Sequence, residues 1–542
     1  MKLRRRNLAR LAADEFDVLV VGGGINGAVS AACLSARGIR TALVDRGDFA
    51  GMTSQESSNL AWGGIKYLES FELGLVRKLC MARNRLIRAY PSTVQRIGFY
   101  LTHERGFRRS RVLLWLGTWI YWLIGAAFLR RPRLLSTRDM DAEEPIIDAS
   151  NADGGVEYDD AYLHDNDARF VWNFVRGALD HGAVAANYVE VTGARRGPSG
   201  GWQVSARDTV GGAALTVKAR LLLNACGPLV DSLNADLGAV TRHRHVLSKG
   251  VHLIVPRLTT SNRVLSFFAN DGRLFFVIPM GPRTCIGTTD TPSDGHDVRV
   301  TPEDRRFVLD NINRRLRLPR PLGEADIIAE RCGVRPLAVL AAAKGAGDGA
   351  GHKDWMQLSR KHVIEVTDGT ISVFGGKLTD CLNVGEEVYR EVTRMGVRAS
   401  CPSGSWYGEP PAEVRDEFFH QARLMDLDAL TSKSSSEPLS TRLWRRYGGA
   451  ALGLLESIRQ DPSEADLVIE NAEYIRCEIE EAATREMVTK LDDFLRRRSK
   501  IALVVSQQTL LHAEGLRHAC RIMFGEEADA KLAEYFAAVA SS

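Results

Sequence analysis

Residues 17–27 read D-V-L-V-V-G-G-G-I-N-G, and the chain continues through an alanine-rich stretch to T-A-L-V and Asp45. The run V-L-V-V has no polar alternation, as expected of a strand buried on both faces of a parallel sheet. Gly22, Gly24 and Gly27 follow at the spacing G-x-G-x-x-G. The first allows a tight turn, the second lets backbone approach a pyrophosphate, and the third lets the next helix pack closely. Ala28, Ser30, Ala31 and Ala32 keep that helix slim, Gly38 ends it, and Asp45 stands where it can accept hydrogen bonds from ribose hydroxyls. Phosphates at the helix N-terminus would meet unpaired amides and the positive end of the helix dipole. The segment predicts a βαβ dinucleotide-binding unit of the kind that both FAD and NAD use.

Working outward, two later blocks carry related glycine punctuation: A-R-L-L-L-N-A-C-G-P at 219–228 and I-S-V-F-G-G-K-L-T at 371–379. Both are expected beside the first strand. Between them, G-V-H-L-I-V-P (250–256) and R-L-F-F-V-I-P (273–279) read as strands of a separate antiparallel sheet. The expected architecture is an α/β Rossmann-like domain (15–90, 150–242 and 360–400). It is interrupted by an α+β antiparallel-sheet substrate domain (91–149 and 243–359) and followed by a C-terminal all-helical domain (410–542). The Gly- and Ala-rich stretch 342–353 reads as a mobile surface loop.

Composition supports a folded, multi-domain enzyme: 542 residues, 45% hydrophobic and 25% charged. With 71 Lys and Arg against 67 Asp and Glu, the net charge of +4 argues against a nucleic-acid binder. The nine cysteines form no C-x-x-C pair, so neither a disulfide framework nor an iron–sulfur site is expected, and no metal site. The basic start, M-K-L-R-R-R, has no apolar run before Asp14, so a secretory signal is not expected.

One stretch, Val112 to Leu129, carries no formal charge and is flanked by Arg108, Arg109 and Arg111 and by Arg130, Arg131 and Arg133. As a helix it would be about 27 Å long. A monotopic membrane-contacting helix at 112–129, with Trp115, Trp119, Tyr121 and Trp122 at the interface, is the favoured reading; a buried core helix and a span are the alternatives. The run Arg496, Arg497, Arg498 with Lys500 is expected on a solvated or dimer-facing helix.

After Asp45 the chain reads D-F-A-G-M-T-S-Q-E-S-S-N-L-A-W-G-G-I-K-Y-L-E (48–69). Further blocks follow in order: L-L-L-N-A-C-G-P, K-G-V-H-L-I-V-P, F-V-I-P with I-G-T-T-D, C-G-V-R-P-L and S-V-F-G-G-K-L-T. In these the chain resembles the FAD-dependent glycerol-3-phosphate dehydrogenase family, within the amino-acid-oxidase-like flavoproteins. The resemblance implies FAD. Thr53, Ser54, Ser57 and Ser58 would supply hydroxyls along it, Gly63 and Gly64 would let the chain approach the flavin, and Ala225 and Gly227 would line the groove. Gly375 and Gly376, ahead of Lys377, Leu378 and Thr379, would aim amides at the flavin pyrimidine. The FAD is expected to be noncovalent, because no cysteine lies in the glycine-rich flavin segment and Trp62 offers no histidyl attachment point.

Oxidising a secondary alcohol on flavin needs a base and an anion clamp on one face of the ring. The resemblance supplies His252 as base, Arg335 to hold the alkoxide or anion, and Lys377 beside them, with Lys66 and Arg360 as further substrate contacts. It implies hydride transfer from sn-glycerol 3-phosphate to flavin, giving dihydroxyacetone phosphate. The small anionic polyol is the substrate and quinone the expected acceptor. The location implied is cytoplasmic, peripherally attached to the inner face of the cell membrane, with a homodimer left open. Four departures bear on the substrate more than on FAD: Trp62 where the family often has His, Lys66 for Arg, Val251 for Ser, and Asp380-Cys381-Leu382 for T-Y-R. Oxidation of an amino or 2-hydroxy acid, and a flavin-binding interaction protein without turnover, remain alternatives.

Overall fold

The computed structural model describes residues 2–107, 109–198, 200–269, 272–341, 361–433 and 435–541. The expected loop at 342–353 and Arg360 lie outside them. Glu15–Val21 is central in an eight-stranded sheet, parallel to Thr41–Val44 on one side and to Ala214–Asn224 on the other. Val184–Ala186 extends the sheet beyond Thr41–Val44; Thr370–Phe374 extends it beyond Ala214–Asn224. The helix Ile25–Ala36 packs against the helices Asp167–Asp180 and Cys381–Arg394. Its small side chains make that close approach possible: Ala28, Ala31 and Ala32 join Val18, Val20, Trp172 and Val384 in one buried core.

A second, nine-stranded sheet is mostly antiparallel. Its long strand His243–Pro256 pairs with Ala329–Leu340 so that Ser248 faces Arg335 and His252 faces Arg331. Along its last residues the same strand pairs with Arg283–Gly287. The strand Ala152–Leu163 also belongs to this sheet, between Val94–Glu104 and Arg133–Leu135. Of the stretch 150–242 expected in the dinucleotide domain, Ala152–Leu163 therefore lies in the second sheet, while Val184–Ala186 and Ala214–Asn224 lie in the first. The stretch 152–163 is placed by pairing with residues distant in the chain, which no local signal declares.

From Ala412 onward the chain is helical, ending with Ala528–Ala540. One expectation fails here, and at the uncharged segment the helix bounds and the outward residues differ from those expected. Arg496, Arg497 and Arg498 are buried rather than solvated, on a π-helical turn, Asp493–Arg498, that faces the dinucleotide domain. The helix at 112–129 is shorter than its uncharged run: it spans Arg111–Ile124 and stops where Ala126 and Ala127 take left-handed backbone. No helix among the described residues is long and apolar enough to cross a membrane. Tyr121 is buried, and Trp115, Trp119 and Trp122 are half-buried in an edge-to-face ladder. Aliphatic side chains occupy the outward face instead: Val112, Leu113, Leu116, Ile120 and Leu123 are 48–63% exposed.

Candidate functional site

The groove at the end of the central strands is shaped by glycine. Gly22 has left-handed backbone (φ 101°), and a Cβ at Gly27 would lie 1.8 Å from the Gly22 carbonyl oxygen. The turn and the helix therefore interlock in a way that no side chain permits. Gly24 precedes the helix and has no side chain with which to cap it, so the first amide, Ile25 N, takes its acceptor from Ser54 on the neighbouring loop. The Asp45 carboxylate accepts hydrogen bonds from Gly23 N (2.6 Å) and Gly47 N (2.8 Å), which fix it in the groove. Burial raises its pKa, and those two amides oppose the rise.

Gly22, Gly24, Asp45, Thr53, Ser54, Ala225, Gly227, Gly375 and Gly376 all line this groove. Ser54 Oγ accepts from Ile25 N (3.0 Å), whereas Thr53 Oγ1 donates to the Val334 carbonyl (2.7 Å) and so stitches the loop to the second sheet. The Gly375 amide donates to His245 Nε2 (2.9 Å) rather than pointing at a flavin. At Gly63 the close approach is also to protein. Its amide donates to Asp160 (3.1 and 3.2 Å), and a Cβ there would lie 2.2 Å from Tyr121 Oη. Gly63 and Gly64 line neither this groove nor the adjoining cleft. They are packing glycines under the Trp62–Tyr67 turn, next to the buried Arg83–Asp160 ion pair.

Thr53, Pro336 and Gly376 are shared with a second cleft, which makes the two continuous. Ser57, Ser58, Lys66, His252, Arg335, Lys377, Leu378 and Thr379 line it, so the structure brings together most of the residues expected at the reacting end. Thr379 Oγ1 donates to the Trp62 carbonyl (3.1 Å), and Lys377 Nζ sits 4.1 Å from the Tyr67 ring centroid. Arg335 Nη2 donates to Thr288 Oγ1 (2.9 Å), and Nη1 lies 3.5 Å from Asp290. Its guanidinium occupies space that Gly250 leaves empty, since a Cβ there would lie 2.1 Å from Nη2. The glycine of K-G-V-H is thus what admits the arginine of G-V-R-P-L.

His252 is buried, and its Nδ1 has no hydrogen-bond partner among the described residues. Burial, then Arg335 and Arg331, hold its pKa well below the usual imidazole range, so the ring is neutral and one of its nitrogens carries a free lone pair. Arg273, Lys361 and Glu56 also line the cleft and were not anticipated. Arg273 opens the strand R-L-F-F-V-I-P, where alternation could have turned it toward His252's sheet face. Glu56 had only its isolation among hydroxyl residues as a signal. Arg331, buried on the same strand as Arg335, donates to the Ser57 carbonyl and to Asn59 Oδ1 (2.9 Å) and ties the 53–59 loop to the second sheet.

The family described as FAD dependent oxidoreductase matches residues 17–352, and the C-terminal domain of alpha-glycerophosphate oxidase matches residues 416–526. Glycerol-3-phosphate dehydrogenase 2 of Mycobacterium tuberculosis (strain ATCC 25618 / H37Rv) is 30% identical over 511 residues, 91% of this chain and 82% of the relative. The chain belongs to the FAD-dependent glycerol-3-phosphate dehydrogenase family. A D-erythritol 1-phosphate dehydrogenase of Brucella abortus (strain 2308) is 32% identical over 71% of this chain and 73% of that protein. The solved glycerol-3-phosphate dehydrogenase from Bacillus halodurans, complexed with FAD, superposes with a TM-score of 0.73 at 26% identity, covering 99% of this chain and 97% of that one.

This family member is therefore an FAD-dependent oxidoreductase. The residues present fit the cofactor: a glycine-built helix N-terminus lining the groove, a carboxylate at the end of the second strand, and a groove that runs on into the cationic cleft. Cys226 is the one thiol lining either cleft among the described residues; its Sγ contacts the Val21 carbonyl (3.4 Å) and burial pushes its pKa up. An unreactive thiol at that end of the groove offers no covalent attachment. Acid precipitation is expected to leave yellow flavin in the supernatant; flavin retained on the precipitated chain would contradict noncovalent binding.

Proposed function

We propose that the protein oxidises a phosphorylated polyol, with sn-glycerol 3-phosphate as reference substrate and dihydroxyacetone phosphate as product. The observation that carries this reading is the composition of the second cleft: Lys66, Arg273, Arg335, Lys361 and Lys377 against Glu56 and Asp290, around a neutral His252. Such an excess of cations suits a phosphate, and the short carboxylates suit hydroxyls. Bound FAD supplies the acceptor for the C–H hydride at the flavin end of the groove. In this mechanism His252 accepts the hydroxyl proton as the hydride leaves. Arg335 stabilises the developing alkoxide or the anionic substrate, and Lys66 and Lys377 add charge at the cleft wall. The relatives named for glycerol 3-phosphate and for D-erythritol 1-phosphate support the same substrate class.

We also place the electron acceptor, quinone, at a membrane surface on the inner face of the cell membrane. Supporting this, the helix Arg111–Ile124 turns a row of aliphatic side chains outward, and Arg130 and Arg131 are exposed just beyond it. That pairing suits anionic lipid. Anaerobic bleaching of the flavin absorbance tests the substrate. Glycerol 3-phosphate or a tetritol phosphate is expected to bleach the enzyme, and unphosphorylated glycerol is not. Bleaching by amino or 2-hydroxy acids in place of phosphorylated polyols would overturn the assignment.

A further inference from the structure

Arg496, Arg497 and Arg498 have no part in the chemistry above, yet all three are buried against the dinucleotide domain. Within the C-terminal domain Arg497 also pairs with Asp492 (2.5 Å) and Asp493 (2.8 Å), and Arg498 Nε donates to the Glu486 carbonyl (3.1 Å); their partners outside it include the two ends of one short segment. Asp48 receives both terminal nitrogens of Arg498 (2.8 and 2.8 Å), Arg497 Nε (2.8 Å) and Asn187 Nδ2 (2.8 Å). At the other end Arg497 Nη1 donates to Gln55 Oε1 (3.0 Å), while Arg496 Nη2 reaches the Gln55 carbonyl and Glu56 Oε1 (3.2 Å). Between those anchors lie Gly51, Met52, Thr53 and Ser54, each lining the cofactor groove.

Two features indicate that this segment is held in shape from outside. Ala50 has left-handed backbone (φ 65°), which an L side chain adopts only when its surroundings impose it. The arginines also come from a π-helical turn. With more residues per turn than an α-helix, it fans three successive side chains over a narrower arc, so that neighbours in sequence reach one target. Asp48 is fully buried; burial alone would raise its pKa, and Arg498 and Arg497 together bring it below the usual range.

We propose that Arg496, Arg497 and Arg498 form a clasp that keeps residues 48–56 in their cofactor-binding shape, making the C-terminal helical domain a determinant of FAD retention. They act as positioning residues, through Asp48, Gln55 and Glu56, and touch no reacting atom. The inference rests on the FAD assignment, which FAD binding by the wild-type chain tests separately.

The experiment measures the FAD dissociation constant by equilibrium dialysis with flavin fluorescence, alongside the thermal midpoint. Arg498→Met and Arg497→Met are each expected to weaken FAD binding by about tenfold or more, since removing one of its two guanidinium partners leaves the buried Asp48 charge only partly compensated and its loop less firmly held. Arg498→Lys, which keeps the charge, should recover part of the loss. Arg442→Met serves as the control. It breaks an equally buried pair with Glu478 (3.1 Å) inside the C-terminal domain. It should lower the thermal midpoint while leaving FAD affinity within about a factor of two. Unchanged FAD affinity in Arg498→Met, or an equal loss in Arg442→Met, overturns the proposal. If Arg498→Met does not fold, Arg496→Gln, which loses only the Gln55 and Glu56 contacts, takes its place: weaker FAD binding is expected, and unchanged affinity overturns the proposal.

Discussion

Arg335→Ala is expected to lose substrate-driven flavin reduction by about a hundredfold or more while FAD stays bound. The expectation follows from where the side chain sits. Its backbone is pinned in the pairing of Ala329–Leu340 with His243–Pro256, opposite Ser248. Its side chain is 27% exposed, and its guanidinium is aimed by Thr288 and Asp290. A charge-assisted hydrogen bond contributes roughly 1.5 to 3 kcal/mol, and a clamp that makes two of them puts about 3 kcal/mol or more at stake. At about 1.36 kcal/mol per factor of ten, that is two powers of ten in kcat/KM. Arg335 is no part of the dinucleotide groove, so FAD content should hold. Arg335→Lys restores charge without the planar fork and is expected to recover only part of the rate. Gly250→Ala gives an independent check, because its Cβ would collide with the guanidinium and should reproduce much of the loss with Arg335 intact. Stopped-flow bleaching at the wild-type rate in Arg335→Ala would sink the clamp assignment.

Much of this site is legible in sequence because it is built from steric exclusions. Gly22, Gly24 and Gly27 sit where backbone must approach backbone, and such a requirement writes itself locally at fixed spacing. Gly250 and Arg335 were each visible in a motif, but their dependence on one another was not, since it arises from strand pairing across 85 positions of chain. The arginine run at 496–498 misled for the same reason. A run of cations is solvated unless carboxylates meet it, and the carboxylate that does, Asp48, lies 450 positions away from Arg498. Gly63 read as a flavin-approach residue because both roles demand the same missing side chain; only the position of Tyr121 and Asp160 decides between them. At 112–129 the aromatic residues expected outward are half-buried or buried and aliphatic ones are exposed instead, because composition does not say which side of a helix is already covered by its neighbours.

That face sets the last expectation: replacing Leu116 and Ile120 together by Asp should release the protein from anionic vesicles while leaving it folded and loaded with FAD. The helix Arg111–Ile124 has 14 residues, about 21 Å, too short for a hydrocarbon core of about 30 Å, so the proposed contact would be from one side. Five aliphatic residues half-exposed on that side would enter the acyl boundary, each contributing a good part of the roughly 1.5 to 3 kcal/mol of a fully buried side chain. Arg130 and Arg131 would add about 1 kcal/mol each near anionic headgroups. The apolar share is the larger, so high salt should release the wild type only partly, whereas the double substitution should lower co-sedimentation by about a hundredfold. Arg130→Ala with Arg131→Ala should weaken binding to phosphatidylglycerol vesicles and hardly change binding to phosphatidylcholine. Because Leu116 and Ile120 are about half exposed, their loss should not disturb the core that Tyr121 anchors through Asp160 (2.6 Å). Aggregation with loss of FAD would instead make the segment core, and unchanged sedimentation would remove the helix from the membrane. The acceptor follows from the same variant: reduction of a quinone dissolved in lipid should fall with release, and reduction of a water-soluble dye should not. A lipid-borne acceptor reaches the flavin only when the protein is docked, whereas a soluble one reaches it everywhere.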